Sequence, residues 1–321
     1  MRILVTGGAG FIGSHLCERL ITSGHTVTAL DNFSTGRASN LDALKGVIGF
    51  TLIKGSILDT KILVPLVENA DYIFHLAAAV GVFNIVNNPL ASLLTNIRGT
   101  ENVLEAAHET ETPVFLTSSS EVYGKNISDS LKESDDRILG SPVTLRWSYS
   151  EAKAIDESLA FAYFVEKQLE TRIVRFFNTV GPRQLGAYGM VVPRFVKAAL
   201  ANEPITIYGD GNQTRCFAHV YDVVDAVMAI AFSENTIGKV INIGNDFEIS
   251  INGLAKRIIE ETGSKSEIKY VPYAEAYGDG FEDMERRVPN IELINQLVGW
   301  KPKRDLSTMI ADISVEMKKG S

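Results

Sequence analysis

A short glycine motif near the start of the chain limits the fold more than any other feature of the sequence. The apolar residues 2–6 lead into VTGGAGFIGSHL, in which Gly7, Gly10 and Gly13 open a segment with helical periodicity. Glycines at these places let the backbone N–H groups of a helix N-terminus approach a pyrophosphate with no Cβ in the way. This order of strand, glycine turn and helix predicts a dinucleotide-binding unit.

The acidic residue expected in such a unit is Asp31. It ends the next strand-like run, residues 26–31, and follows Gly13 by 18 residues. A carboxylate at this place accepts hydrogen bonds from an adenosine ribose and repels a 2′-phosphate. The sequence therefore favours NAD over NADP, against the simpler interpretation of a glycine-rich turn with a surface aspartate.

The rest of the chain alternates between two kinds of hydrophobic pattern. Apolar, β-branched runs predict strands at residues 2–6, 26–31, 50–53, 71–77, 113–117 and 172–177. Helical periodicity predicts helices at residues 13–23, 91–109, 149–167 and 190–201. This alternation is typical of an α/β fold, here a Rossmann-type, doubly wound parallel sheet. We expect residues 1–178 to form the NAD-binding domain and residues 179–321 to form mainly a smaller substrate-binding lobe, partly interleaved with the first.

Composition narrows the classes of partner. The net charge of −8 argues against a nucleic-acid surface, and no apolar run reaches the roughly 18 residues needed to span a bilayer. The two cysteines, Cys17 and Cys216, have no metal-ligand spacing, and we expect neither a metal site nor a membrane partner. We expect a cytoplasmic protein. Clustered arginines in the second half could bind an anionic small ligand: Arg183, Arg194, Arg215, Arg286 and Arg287.

A tyrosine and a lysine provide candidate acid–base chemistry. Tyr149 and Lys153 in WSYSEAK stand four residues apart near the start of a predicted helix, so both side chains lie on one face. An ammonium group beside a phenol, with a positive nicotinamide ring nearby, favours the phenolate and makes the tyrosine a base for a sugar hydroxyl. Such a pair occurs often by chance, but the serine run at residues 118–120 follows a predicted strand and can present a hydroxyl beside it.

Taken together, these motifs resemble the extended short-chain dehydrogenase/reductases, the family of nucleotide-sugar epimerases, dehydratases and decarboxylases. The resemblance spans essentially the whole chain. It continues through HLAAAV at 75–80, Asn96, RFFNTVGPRQ at 175–184, ITIYGDGNQTRCFAHVYDVVDA at 205–226 and NIGN at 242–245. It implies bound NAD, a UDP-sugar substrate, and oxidation of the sugar at C4 to a 4-keto intermediate.

The resemblance also implies roles for individual residues. The catalytic group is Ser119, Tyr149 as base, and Lys153 as its modulator. The cofactor contacts include Tyr149 and Lys153 together with Gly7, Gly10, Phe11, Ile12, Gly13, Asp31, Asn32, Thr35, Ser56, Ile57, Leu76, Ala77, Ala78 and Asn96. The substrate contacts are Ser119, Ser120, Asn178, Val192, Tyr208, Arg215, Arg286 and Arg287. Ser56 departs from the many relatives that carry an aspartate there.

The branch of sugar chemistry depends on residues around Glu121 and Arg287. Ser120 stands where dehydratases have an aspartate, which makes dehydration less favoured. Glu121 and the segment YGDGFEDMERRVPN at 277–290 resemble the UDP-glucuronate decarboxylases and UDP-apiose/xylose synthases, in which a matching glutamate and arginine handle the uronate carboxylate. We therefore expect Glu121 and Arg287 to be catalytic and favour a UDP-glucuronate decarboxylase.

Two alternatives to the decarboxylase stay open. A UDP-sugar 4-epimerase would need the same residues, with Glu121 capping a loop and Arg286 and Arg287 binding diphosphate. A non-catalytic NAD-binding sensor is the third interpretation.

Relatives usually form dimers through the helices around 91–109 and 149–167, so a homodimer is expected, with apolar Leu93, Leu94, Ala160 and Phe164 serving either that interface or the core.

Overall fold

The computed structural model describes residues 1–81, 85, 87–186, 190–273, 275 and 284–319. Within these ranges the strands are β1 Arg2–Thr6, β2 Thr26–Asp31, β3 Phe50–Lys54, β4 Tyr72–His75, β5 Val114–Ser119, β6 Thr171–Phe176, β7 Thr179–Val180, β8 Ile205–Tyr208, β9 Thr214–Cys216, β10 Ala218–His219, β11 Val240–Ile243, β12 Glu248–Ser250 and β13 Ile268–Val271. The α-helices are α1 Phe11–Thr22, α2 Thr60–Glu68, α3 Pro89–Glu109, α4 Ser148–Lys167, α5 Val191–Leu200, α6 Val220–Ala231, α7 Ile251–Thr262, α8 Glu292–Val298 and α9 Leu306–Lys319.

Seven strands form the central sheet in the order β11-β6-β5-β4-β1-β2-β3. Every pair of neighbours in it is parallel. Strand order reverses beside β1, as expected where a dinucleotide binds at the carboxyl ends of the strands. The predicted Rossmann-type α/β fold is confirmed.

Helices cover both faces of this sheet, which explains why its strands are apolar on both sides. Ile3 and Val5 of β1 pack in a core with α1 and α6, whereas Leu4 packs in the opposite core with α2 and α3. The alternation follows from the two-residue period of a strand.

A third core lies in the C-terminal part of the chain. It combines α5, β8, α7 and α9, with Val196, Ile207, Leu254 and Ile310 among its buried residues. Two-stranded sheets accompany it: β8 with β13 in parallel and β9 with β12 antiparallel. This second packing unit is the structural counterpart of the smaller lobe.

The two units share the second half of the chain. Strand β11 pairs with β6 at the edge of the large sheet, and α6 packs on that sheet with α1. The chain therefore returns to the large sheet after β7. The division at residue 178 stays a prediction. Across the described ranges, no helix is both long and apolar enough to cross a membrane.

Candidate active site

The glycine turn packs so tightly that side chains would not fit. Gly7 has a positive φ of 72°, and a Cβ there would lie 2.8 Å from the backbone nitrogen of Ala77. A Cβ on Gly13 would lie 2.2 Å from the carbonyl oxygen of Gly7. Gly10 is the N-cap of α1 and provides no side-chain cap, so the first N–H groups of the helix face a cavity lined by Gly10, Phe11 and Ile12. This cradle fits the pyrophosphate of a dinucleotide.

A small cavity continues from this cradle along the ends of β2 and β3. It is lined by Asp31, Asn32, Ser56, Ile57 and Ala77, all predicted cofactor contacts. The Asp31 carboxylate accepts hydrogen bonds from the N–H of Ala9 at 2.9 Å and of Phe33 at 2.8 Å. Burial raises its pKa, and these two backbone bonds oppose that shift. Asp31 thus holds the glycine turn as well as facing the cavity.

The principal cavity, of about 470 Å³, lies at the carboxyl ends of the central strands. It brings together most of the remaining predicted residues, which are Gly7, Gly10, Phe11, Ile12, Gly13, Leu76, Ala78, Ser119, Ser120, Glu121, Tyr149, Lys153, Asn178, Val192, Tyr208, Arg215 and Arg287. Residues 100 or more positions apart in the chain thus line one space. Its walls come from both packing units.

Ser119, Tyr149 and Lys153 meet at one end of this cavity. Ser119 ends β5 and hydrogen-bonds with the phenol of Tyr149 at the start of α4. One turn later in α4, the Nζ of Lys153 donates to the carbonyl of Thr117 at 3.0 Å and to the carboxylate of Asp156 at 3.0 Å. The i, i+4 spacing places both side chains on one helix face, as expected.

In the polypeptide alone the pKa of the Tyr149 phenol is raised, whereas a fall is expected beside a bound nicotinamide ring. Burial raises the pKa of Tyr149, and the negative charges of Glu121 and Asp156 raise it further, while the hydrogen bond with Ser119 opposes them. The expected fall in this pKa relies on the Lys153 ammonium together with a positive nicotinamide ring, and the two carboxylates act against it. A base at Tyr149 therefore depends on the positive charge that a bound nicotinamide ring adds.

Glu121 lies between two arginines in the cavity wall. Its carboxylate is 2.8 Å from Arg287 and 2.6 Å from Arg146, and both arginine side chains are buried. Burial alone would raise the pKa of Glu121, but Arg287 and Arg146 lower it to about 2. Arg287 also donates to the Ser120 hydroxyl at 3.3 Å. The three charged groups together carry a net charge of +1 beside Tyr149, which suits an anionic group on a ligand.

Three predicted residues do not line either cavity. Asn96 is buried and its amide bonds the backbone of Ala79 in both directions, at 2.7 and 3.2 Å. Arg286 pairs with Glu248 at 2.8 Å and with Asp129, so it joins β12 to the segment around residue 129. Thr35 lies in the turn after β2, where Ser34 lines the smaller cavity instead. Residues 277–283 of the predicted decarboxylase-like segment lie outside the described residues.

The structure adds residues to the site that sequence reasoning did not assign. Arg146 lines the cavity only three positions before Tyr149, but nothing in the local pattern indicates that it faces Glu121. Arg194, expected only as a general anion contact, lies over the ring of Tyr208 with its guanidinium carbon 4.2 Å from the ring centre. Gln213 bonds the Tyr273 hydroxyl at 2.9 Å in the same wall. Each pair joins residues of different elements, which local sequence patterns do not indicate.

Comparison with known proteins identifies the family. Residues 3–244 match the model of the NAD dependent epimerase/dehydratase family. This chain belongs to that family. The match covers the glycine turn, the Ser119–Tyr149–Lys153 group and the strands of the central sheet, so family membership rests on the residues that build the site.

Relatives of this chain include proteins named as decarboxylases and proteins named as epimerases. The chain is 42% identical over 302 residues to a UDP-N-acetyl-alpha-D-glucosaminuronate decarboxylase from Bacillus cytotoxicus, covering 94% of this chain and 92% of the relative. It is 38% identical to UDP-glucuronic acid decarboxylase 1 from Xenopus tropicalis, covering 94% of this chain and 68% of the relative. Among solved structures, a UDP-glucuronic acid 4-epimerase from Bacillus cereus, in complex with UDP-glucuronic acid and NAD, matches with a TM-score of 0.90 at 29% identity, over all of both chains.

Proposed function

We propose that this protein is an NAD-dependent decarboxylase of a UDP-uronate. The observation that carries the proposal is the Arg146–Glu121–Arg287 group in the wall that also holds Tyr149. It provides a cationic place for a carboxylate next to a candidate base. The decarboxylases among the relatives of this family member support the same reaction.

The cofactor would occupy the glycine cradle and the small cavity beside it. Gly7, Gly10 and Gly13 leave room for the pyrophosphate, and Asp31 and Asn32 line the place of the adenosine ribose. Bound NAD supplies a reversible oxidant for the C4 hydroxyl of the sugar. Lys153 and Tyr149 line the larger cavity between this cradle and the substrate walls, where that hydroxyl would lie.

Tyr149 would remove the C4 hydroxyl proton during oxidation. Ser119, which hydrogen-bonds with Tyr149, would hold the same sugar oxygen in place. The resulting C4 ketone is β to the C6 carboxylate, so the bond between C5 and C6 can break with release of CO2. Its electron pair passes into an enolate at C4, which the Tyr149 hydroxyl would stabilise by hydrogen bonding. Protonation at C5 and reduction of the C4 ketone, with Tyr149 returning its proton to the C4 oxygen, would then complete the UDP-pentose and restore the oxidised cofactor.

Glu121 limits how strongly Arg287 binds the substrate carboxylate. A lone buried arginine would bind the substrate carboxylate strongly in the ground state and oppose its conversion to neutral CO2. Because Arg287 already pairs with Glu121 at 2.8 Å, its charge is partly compensated. The group can orient the carboxylate without fully stabilising its charge.

A uronate 4-epimerase is the second candidate. It would use the same C4 oxidation and then return the hydrogen to the opposite face of the ketosugar. The similarity to the Bacillus cereus epimerase favours it, because the two folds align over their whole lengths. The difference lies in whether CO2 leaves before the ketone is reduced.

The sugar can differ at C2. One decarboxylase relative acts on an N-acetylated uronate by name, and another acts on glucuronate. We therefore include UDP-glucuronate and UDP-N-acetylglucosaminuronate as candidate substrates. The higher identity of the first relative places the N-acetylated sugar first in the order of testing.

A homodimer and a cytoplasmic location remain part of the proposal. Leu90 on α3 and Ile155, Phe161 and Val165 on α4 are exposed apolar side chains, which supports association of two copies through these helices. Ala160, one of the residues considered for that interface, is instead buried in the core. Cys17 and Cys216 are free thiols, which suits a reducing compartment.

The test uses purified protein with NAD and each candidate substrate in turn. Proton NMR of the anomeric region follows the nucleotide sugar, while a coupled assay follows CO2. Loss of the uronate with equimolar CO2 is expected for one of the two sugars. A UDP-galacturonate-type product without CO2 would replace the decarboxylase by the epimerase, and failure of both sugars to react would reject both candidates.

A further inference from the structure

Lys153 is held in place by a carboxylate that no part of the proposed mechanism uses. Asp156 lies three residues further along α4, and its Oδ2 is 3.0 Å from the Lys153 Nζ. The Asp156 side chain is completely buried and does not line the cavity, whereas Lys153 does. Any effect of Asp156 on the reaction must therefore pass through Lys153 or through its charge.

We propose that Asp156 is a positioning residue for the Tyr149–Lys153 pair: it fixes the direction of the Lys153 ammonium and sets the charge against which Tyr149 ionises. An ammonium group has three N–H bonds. The Thr117 carbonyl and Asp156 take two of them, each at 3.0 Å. Tetrahedral geometry then fixes the direction of the third N–H bond. The Lys153 ammonium, which could otherwise rotate, therefore has one orientation at the cavity wall. The inference rests on the proposed catalytic role of this pair.

Asp156 is itself anchored by a buried polar seam. The Thr100 hydroxyl of α3 interacts with its carboxylate, opposing the rise that burial causes in the Asp156 pKa, and hydrogen-bonds with the Nε2 of His75 at 3.1 Å. The Nδ1 of His75 in turn lies 2.8 Å from the hydroxyl of Thr6, the last residue of β1 before the glycine turn. The seam thus ties the lysine to the strand that carries the proposed cofactor cradle.

Fold stability alone does not account for this ion pair. Removing two charges from water costs free energy that their attraction often fails to recover, and apolar replacements of similar size are frequently neutral or stabilising. Both side chains of the pair are almost fully buried, at 3% and 0% exposed. A role in holding a charge at the cavity gives the pair a function that an apolar pair would not have.

The other charged groups near the pair are compensated or neutral. Burial, assisted by the charge of Lys153, lowers the pKa of His75 on β4 to about 3, so this ring is neutral near pH 7. Glu157, the next residue of α4, pairs with Arg175 of β6 at 2.7 Å.

Glu121 faces Tyr149 from the turn after β5, and its own arginine partners offset its charge. The Asp156 carboxylate forms an ion pair with Lys153. Removing its negative charge therefore changes the electrostatic surroundings of the Tyr149–Lys153 pair directly.

The sign of the effect on acid–base chemistry follows from the charge. The carboxylate of Asp156 opposes loss of a proton from Tyr149, because that loss makes the surroundings more negative. In Asp156→Asn the shape is kept and the charge is lost. The acid limb of the pH profile of kcat, which reports ionisation of Tyr149, should then move to lower pH by about one unit. The maximal kcat should fall roughly 10- to 100-fold because the lysine is less well oriented, with KM little changed.

The experiment measures pH profiles of kcat and KM for the NAD-loaded wild type, Asp156→Asn and Glu166→Gln. Glu166 is an exposed carboxylate on the same helix and serves as the matched control. A lower maximum with an unmoved acid limb would reduce Asp156 to a structural role and overturn the proposal. Wild-type kcat with a wild-type profile in Asp156→Asn would overturn it as well.

A second measurement needs no turnover. The ultraviolet absorbance of tyrosinate is titrated in the NAD-loaded proteins, and the titration of Tyr149→Phe is subtracted to isolate Tyr149. The Tyr149 signal should appear at lower pH in Asp156→Asn than in the wild type, and an equal or higher pH would contradict the inference. If the wild type reacts with neither uronate, the proposed function fails, but this titration still decides the role of Asp156.

Discussion

Replacing Glu121 by glutamine tests whether its two arginines depend on its charge. The pKa of Glu121 falls from 4.5 to about 2 despite burial, because Arg287 and Arg146 stabilise the carboxylate. At about 1.4 kcal/mol per pKa unit, this shift corresponds to about 3 kcal/mol of folding free energy at neutral pH. The side chain is only 16% exposed, so solvent screens the interaction weakly.

The pH dependence gives this prediction its sign. A carboxyl whose pKa is lower in the folded state stabilises the fold above its unfolded pKa, and the contribution disappears as pH falls through the folded value. The free energy of unfolding of Glu121→Gln should be about 3 kcal/mol below that of the wild type at pH 7. The gap should narrow to about 1.5 kcal/mol at pH 3, since glutamine resembles the protonated acid and does not titrate.

Urea denaturation followed by circular dichroism at pH 7, 5 and 3 measures this gap. Glu260→Gln, an exposed glutamate on α7, is the control and should show almost no gap at any pH. A Glu121→Gln gap that stays constant between pH 7 and pH 3 would refute the reasoning, because the loss would then come from packing and not from charge.

Three further predictions concern the cavity. Gly13→Ala should destabilise the protein by about 1–3 kcal/mol and weaken NAD binding, because its Cβ would lie 2.2 Å from the Gly7 carbonyl oxygen. Thermal unfolding measures the stability and fluorescence titration measures the NAD affinity, with Thr22→Ala as control. An unchanged NAD affinity would contradict the role of the glycine turn in holding NAD. Arg287→Ala should slow CO2 release about 100-fold with little change in UDP affinity, whereas Arg286→Ala should retain most of the rate; a pure affinity loss in Arg287→Ala would instead assign that residue to diphosphate binding. Tyr149→Phe should abolish turnover and keep NAD bound, as judged by product NMR and NAD content, and near-normal turnover would remove Tyr149 from the mechanism.

The sheet and the glycine turn could be predicted because their signals are local. A predicted strand at 172–177 is found at Thr171–Phe176, and a predicted helix at 190–201 is found at Val191–Leu200. The period of the apolar residues identifies such strands and helices in the sequence. The return of the chain to the large sheet at β11 has no local signal, because it depends on pairing with β6.

The directions of side chains at the site were harder to predict than their presence. Arg286 and Arg287 are neighbours, yet one pairs with Glu248 and the other with Glu121, partners that lie in different parts of the chain. The pKa of Tyr149 is expected to fall beside Lys153 and a bound nicotinamide ring, whereas burial and two carboxylates raise it in the polypeptide alone. Electrostatics at a buried site depends on every charge that the fold assembles, and sequence spacing reveals only the nearest of them.

The most direct test of the proposed reaction follows one carbon atom. Each candidate UDP-uronate is prepared with ¹³C at C6, incubated with the protein and NAD, and observed by carbon NMR in a sealed tube. The account predicts that the label leaves the nucleotide sugar of at least one substrate and appears as CO2 and bicarbonate, together with an unlabelled UDP-pentose or its N-acetylated counterpart. Label that remains in an epimerised uronate, or in unchanged substrate, would contradict decarboxylation.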